Sequence, residues 1–135
     1  MARWLLKTEP STYSFQDLEK ERRAVWDGVS NPVALKHLRA VRKGDELLIY
    51  HTGGEKAVVG VARAVSDSYP DPKRKDAKLA VVDLAPLRRL PRPVSLAEIK
   101  RQKPFAGWEL VRLPRLSVMP VPDPLWQQLV ELAGE

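Results

Sequence analysis

Six consecutive residues, Trp26-Asp27-Gly28-Val29-Ser30-Asn31, place an indole, a carboxylate, a flexible glycine and an amide between two apolar segments. Large aromatics usually go to the core, and Asp, Gly and Asn to solvent-facing turns. A run that holds both reads as the wall of a pocket, one flat apolar surface with hydrogen-bonding groups beside it. Lys7-Thr8-Glu9-Pro10 and Tyr50-His51-Thr52-Gly53-Gly54 have the same mixed character, each following an apolar strand. The chemistry on offer is recognition of a flat, polar-edged ligand, and a nucleobase fits that description. Reactive chemistry has weaker support. The chain has no cysteine, and its two histidines, His37 and His51, lie far apart, so no metal-ligating spacing is present. Gly-x-Ser-x-Gly, phosphate-loop and dinucleotide fingerprints are missing as well. An enzyme would have to use His51 with Glu9 or Asp27 as acid and base.

These segments need elements to hold them. Arg3–Lys7 is a short buried strand by its apolar run. Ser14 followed by Asp17 and Leu18 predicts an N-capped helix over 15–22. Asn31-Pro32 opens a second helix, with Ala34, Leu35, Leu38 and Val41 as its apolar stripe and Gly44 as its stop. Glu46–Thr52 reads as a strand covered on both faces, Gly53-Gly54 as a hairpin turn, and Lys56–Ser66 as the returning strand with a bulge at Gly60. Ser68–Asp76 is a loop by its prolines and charges, and Ala77–Leu90 a long strand. Ser95-Leu96-Ala97-Glu98 is a capping box on a short basic helix. Leu116–Met119 is the last strand, and Asp123-Pro124 caps a final helix that Gly134 ends. About five strands with helices between them imply an α+β domain on a small, largely antiparallel barrel. Trp4 and Trp126 belong to the core, whereas Trp108 fits either packing under a loop or stacking on a ligand.

At 135 residues the chain suits one domain, 1–135. No apolar run approaches the roughly 18–20 residues that span a bilayer, and no signal peptide precedes Arg3, so the expectation is a soluble, cytoplasmic protein, with a monomer favoured. Arg88, Arg89, Arg92, Lys100, Arg101, Lys103, Arg112 and Arg115 stand in residues 86–115 against only Glu98 and Glu109. That block accounts for the whole net charge of +6. A clustered basic region with a pI near 9.8 is the footprint of a phosphate-rich partner, and equally of a plain solvated face. Pro86, Pro91, Pro93 and Pro104 interrupt any long membrane-binding helix there.

Trp4-Leu5-Leu6-Lys7-Thr8-Glu9-Pro10, Trp26-Asp27-Gly28-Val29-Ser30-Asn31 and Tyr50-His51-Thr52 together resemble the signature segments of the EVE domain family. Tyr69-Pro70-Asp71 and Leu116-Ser117-Val118 stand where that family carries similar residues. The resemblance implies a PUA-like β-barrel with flanking helices, related to the YTH and ASCH groups. It also implies a non-catalytic, cofactor-free reader of a modified base, such as methylated or hydroxymethylated cytosine, in DNA or RNA. Carried onto this sequence, Trp26 is the stacking wall and Asn31 an edge-reading amide. Lys7, Thr8 and Glu9 line the mouth, with Asp27 and Ser117 beside it and Tyr50, His51 and Thr52 on the opposite rim. Arg88, Arg89, Arg92, Lys100, Arg101, Lys103 and Arg112 would face the phosphates. Two alternatives stand beside this reading: a PUA-type RNA-binding module with no need for a modified base, and a nuclease or base hydrolase. Glu9 and Asp27 are equally explained as residues that fix turns.

Overall fold

The computed structural model describes residues 2–76 and 78–135. The chain enters the sheet at β1 (Arg3–Thr8), where Trp4, Leu5 and Leu6 are buried in succession. A strand covered on both faces cannot alternate apolar and polar residues, and this one does not. It pairs parallel with β3 (Glu46–His51) and antiparallel with β7 (Val118–Pro120). A parallel pair needs a long crossover between its strands. Here the crossover is α1 (Phe15–Glu21), β2 (Ala24–Trp26) and α2 (Pro32–Arg39), so the Trp26–Asn31 run sits within it.

Both crossover helices start where the sequence says. Ser14 Oγ accepts the N–H of Asp17 at 3.1 Å, and the Asp17 carboxylate accepts the N–H of Ser14 at 2.9 Å. Asn31 Oδ1 accepts from Val33 and Ala34 at 2.9 and 3.1 Å. The expected stop at Gly44 is displaced. The second helix closes at Ala40, and Gly44, at φ 96°, serves the turn beyond, donating its N–H to Ala64 O.

From β3 the chain turns into β4 (Ala57–Ala64), then passes β5 (Tyr69–Pro70) and enters β6 (Ala80–Ser95). The sheet runs β2-β6-β4-β3-β1-β7, with β5 added to β6. Among the described residues β2 and β7 do not pair, so the expected small barrel is a curled half-barrel, with seven strands where the sequence suggested about five. β2 and β5 are three and two residues long, too short for periodicity to register. The expected start of the long strand at Ala77 lies outside the described residues. Its end extends five residues past Leu90, across two prolines. β4 and β6 explain the extension: Val58 pairs with Val94 but Gly60 with Arg89, so Leu90–Pro93 form a bulge. Prolines are tolerated there because no ladder hydrogen bond needs their missing N–H.

After β6 come α3 (Leu96–Lys100), a 3-10 turn at Lys103–Phe105, α4 (Glu109–Arg112), β7 and α5 (Asp123–Leu132). Ser95 caps α3 through the Glu98 N–H at 3.1 Å, but the Glu98 carboxylate goes to Arg92 instead of completing the capping box. Pro122, not Asp123, is the N-cap of α5, and Asp123 in its first turn faces Arg3 at 3.4 Å. Trp108 is a core residue, 2% exposed, with its Nε1 donating to Pro120 O at 3.0 Å. Trp4 Nε1 donates to the buried Asp45 at 3.0 Å. Among the described residues no helix is long and apolar enough to cross a membrane.

Tyr69 ties β5 and β6 together, donating its hydroxyl to Asp83 at 2.5 Å while Arg23 holds the other carboxylate oxygen at 2.8 Å. The Asp83 hydrogen bond, then desolvation, pushes the Tyr69 phenol up to about 12. Burial also raises Tyr13 and Tyr50. A group raised in the folded state contributes stability that is complete below its unfolded pKa, about 10, and lost as pH rises through the folded value. Absorbance titration of the folded protein is therefore expected to show no phenolate step near pH 10, and Asp83→Asn to bring one tyrosine back toward it.

Candidate functional site

The Trp26–Asn31 turn is built by local geometry. Gly28 takes φ 78°, a conformation that L side chains rarely adopt, so the chain can reverse between β2 and α2. Val25 points outward, 50% exposed, and Trp26 inward, 8% exposed. Opposite this turn lie the end of β1 and the loop after it. That loop is closed by Thr12 and Tyr13 N–H groups on Glu9 O, both at 2.9 Å, and by Thr8 Oγ1 donating to Tyr13 O at 2.6 Å. The third side is Ser117, whose carbonyl takes the Lys7 N–H at 2.9 Å.

These pieces enclose a cavity of about 540 Å³ lined by Lys7, Thr8, Thr12, Tyr13, Val25 and the whole run Trp26–Asn31, with Ser117. That is within the usual range for small-ligand sites, about 300–1,000 Å³. The Trp26 indole borders it while most of its surface is covered, in part by the Tyr13 ring packed edge-on at 6.1 Å and 84°.

The polar groups have defined roles. Because Asn31 Oδ1 is committed to two helix N–H groups, the amide can offer a ligand only the Nδ2 donor. The Lys7 ammonium donates to Pro114 O at 2.9 Å and sits 5.6 Å above the Tyr50 ring. Parallel register makes those two residues direct neighbours, and burial lowers the lysine's pKa. Ser117 and Asp27 have no side-chain hydrogen bond among the described residues and are available to a ligand. The Tyr13 hydroxyl is buried with no hydrogen-bond partner among the described residues.

Of the residues expected at the site, the structure brings Lys7, Thr8, Trp26, Asp27, Asn31 and Ser117 together around the cavity. Glu9, Tyr50, His51 and Thr52 are not among the residues that line it. Glu9 is a clamp: the Ser11 N–H, then its hydroxyl, then Thr52 Oγ1 hold its carboxyl below the ordinary range. Tyr50 is 3% exposed beneath Lys7. His51 turns toward α1, its Nε2 accepting the Phe15 N–H at 3.0 Å and its Nδ1–H donating to Glu55 at 2.7 Å. Both ring nitrogens are therefore used by the fold. Glu55, four residues on from His51, was the available signal for that pairing. Sequence reading missed Thr12, Tyr13 and Val25. Thr12-Tyr13 carries the same signal as Trp26-Asp27, an aromatic attached to a polar turn.

The basic block is partly neutralised. Arg88 is bidentate on Glu135 at 2.6 and 2.9 Å, Arg92 bonds Glu98 at 2.6 and 3.2 Å, and Arg89 pairs with Glu19. Arg101 and Arg112 donate to Ala97 and Gly107 carbonyls, and Lys100 and Lys103 have no side-chain partner among the described residues.

A curled mixed sheet with a ligand-sized recess between its crossover and the end of β1 defines a PUA-like fold. Within that class the chain belongs to the EVE domain family, whose profile matches residues 2–132. It is similar to mouse (Mus musculus) thymocyte nuclear protein 1, 30% identical over 152 aligned positions covering 87% of this chain and 67% of that protein. It superimposes on the solution structure of a Rhodopseudomonas palustris protein with a TM-score of 0.94, at 34% identity and 99% and 94% coverage of the two chains. A crystal structure of human THYN1 in complex with DNA containing 5-methylcytosine matches with a TM-score of 0.90, at 25% identity and coverage of 100% and 99%.

Proposed function

We propose that residues 1–135 work as one non-catalytic nucleic-acid-binding domain that takes a single modified base, a cytosine with a methyl or hydroxymethyl group, into the cavity beside Trp26. The observation that carries this reading is the cavity itself, an indole wall with an amide donor, an ammonium and a carboxylate around one recess. The DNA complex of human THYN1, a relative across the whole chain, supports the polymer and the modification. Extruding a base costs a few kcal/mol, and stacking on an aromatic returns about 1–3 kcal/mol. Most of the affinity must then come from phosphates, and discrimination for the modifying group stays modest, about tenfold to a hundredfold.

Fluorescence anisotropy with matched oligonucleotides, DNA and RNA, modified and unmodified, tests the reading. Tighter binding to the modified strand supports it; equal binding of modified and unmodified strands sinks it, and a preference for RNA whatever the modification then favours the PUA-type alternative. Asn31→Asp sharpens the test. Aspartate caps a helix as well as asparagine does and its charge suits the helix N-terminus, so stability is expected to hold or rise. The donor is replaced by an acceptor, which is expected to weaken modified-base binding about tenfold to a hundredfold. Stable protein with undiminished binding would remove Asn31 from the site.

A further inference from the structure

Three arginines of the basic block, Arg88, Arg89 and Arg92, are held by glutamates, and Arg88 lies far from the cavity. Trp26 registers with Val82, and Arg88 is six strand residues further on, on the order of 20 Å at about 3.3 Å per residue. A cluster of cations without ion-pair partners lies closer to the cavity than Arg88 does. α2 begins at Asn31 on the cavity and ends at Arg39, a path of about 12 Å at 1.5 Å per residue. There Arg39, Arg42, Lys43 and Lys78 meet, and among the described residues none of the four forms an ion pair. Arg39 Nη1 donates to Lys78 O at 2.8 Å, and Arg42 Nη1 donates to Arg39 O at 2.9 Å and Val41 O at 3.1 Å. Carbonyls orient these guanidiniums without neutralising them.

Arg39 and Arg42, with Ser68, Tyr69 and Pro70, line a recess of about 280 Å³. The negative end of a helix dipole would oppose an anion here, but its carbonyls are already occupied. Arg39 O also takes the Ser68 hydroxyl at 2.8 Å, and Val41 O the Ser68 N–H at 3.2 Å. Of the nearby carboxylates, Asp45, Asp67, Asp71 and Asp76 accept the backbone N–H groups of Arg42, Lys43, Lys73 and Lys78, which fixes their position without cancelling their charge, and Asp83 is shared by Tyr69 and Arg23.

We propose that this recess is a phosphate subsite, in which Arg39 and Arg42, flanked by Lys43 and Lys78, hold the backbone of the same strand whose base enters the Trp26 cavity. The inference rests on the function proposed above. A reach of about 12 Å corresponds to three or four steps of duplex at 3.4 Å each, and guanidinium forks match phosphate oxygens in pairs.

The test is the salt dependence of binding to a 12-nucleotide duplex, with and without one 5-methylcytosine, for the parent, Arg39→Gln/Arg42→Gln and Lys43→Gln/Lys78→Gln. Each lost phosphate contact should flatten the log–log slope by about 0.9, so the arginine pair is expected to lower it by roughly 1–2 and Arg88→Gln to leave it nearly unchanged. The lysine pair makes no side-chain hydrogen bond among the described residues, so it decides the matter if the arginine pair fails to fold. Unchanged slopes in the folded variants overturn the subsite, whatever the base preference. A reduced slope on duplexes that the parent binds alike, modified or not, keeps the subsite and overturns the base reading. A parent that binds neither duplex, nor the DNA and RNA oligonucleotides above, overturns both.

Discussion

Trp26→Ala is expected to erase the difference in affinity between modified and unmodified oligonucleotides while leaving a weaker, salt-sensitive binding common to all of them. The indole is the larger of the two aromatic surfaces on the cavity, the Tyr13 ring being the other, and base–aromatic stacking is worth about 1–3 kcal/mol by alanine substitution. Its loss removes most of what offsets extrusion. The phosphate term is untouched, so the slope of log affinity against log salt should match the parent's. The same residue is 8% exposed and packed on Tyr13, so truncation should also cost about 3–5 kcal/mol of stability. Urea unfolding must therefore accompany the binding curves, and Trp26→Phe separates the effects by keeping a stacking face and part of the packing. If folded Trp26→Ala protein retains the parent's preference for the modified strand, the indole is only a core residue and the base-binding reading fails.

Trp26 also shows why the site was half legible. An indole followed by Asp27 and Gly28 marks a turn against apolar packing, and both proved true at once: the ring is mostly covered and still borders the cavity. Asn31 was legible because an N-cap before Pro32 is a local pattern, set by backbone geometry within four residues. His51 was not. Its type suggested contact with a ligand, whereas its ring spans from the first residue of α1 to Glu55, and the α1 contact joins residues 36 apart in sequence. The basic block was only partly legible for a related reason. Charge in sequence does not tell which arginines meet glutamates in space, and Glu19 and Glu135 come from opposite ends of the chain to Arg89 and Arg88. The fold was read more fully where elements were long. The long strands and the helices capped by Ser14 and Asn31 appear as expected, and what escaped were β2 and β5, whose pairing with β6 depends on partners distant in sequence.

Gly60→Ala is expected to be the most damaging single methyl addition in the protein. Gly60 was read as a bulge residue, and the pairing of β4 does slip there, but packing makes the stronger demand. A Cβ at this position would stand 2.5–2.7 Å from the Cζ, Cε1 and Cε2 atoms of Phe15, closer than any relaxed contact. Phe15 is 1% exposed and cannot swing aside freely. It is the first residue of α1, and its N–H is the donor to His51 Nε2. Overpacking of a filled core costs about 1–3 kcal/mol and sometimes more, and here the upper end is expected because ring, helix start and histidine must move together. The loop that α1 follows carries Thr12 and Tyr13 to the cavity, so binding of a modified oligonucleotide should weaken as well, although residue 60 does not line that cavity. Phe15→Leu alone should cost about 1–3 kcal/mol, and the double variant Gly60→Ala/Phe15→Leu should be more stable than the sum of the two losses predicts, with a coupling of 0.5–3 kcal/mol or so. Denaturant unfolding of all four proteins gives that coupling directly. Additive losses would mean the ring relaxes away from Gly60 independently, and the link from β4 through α1 to the cavity would then be absent.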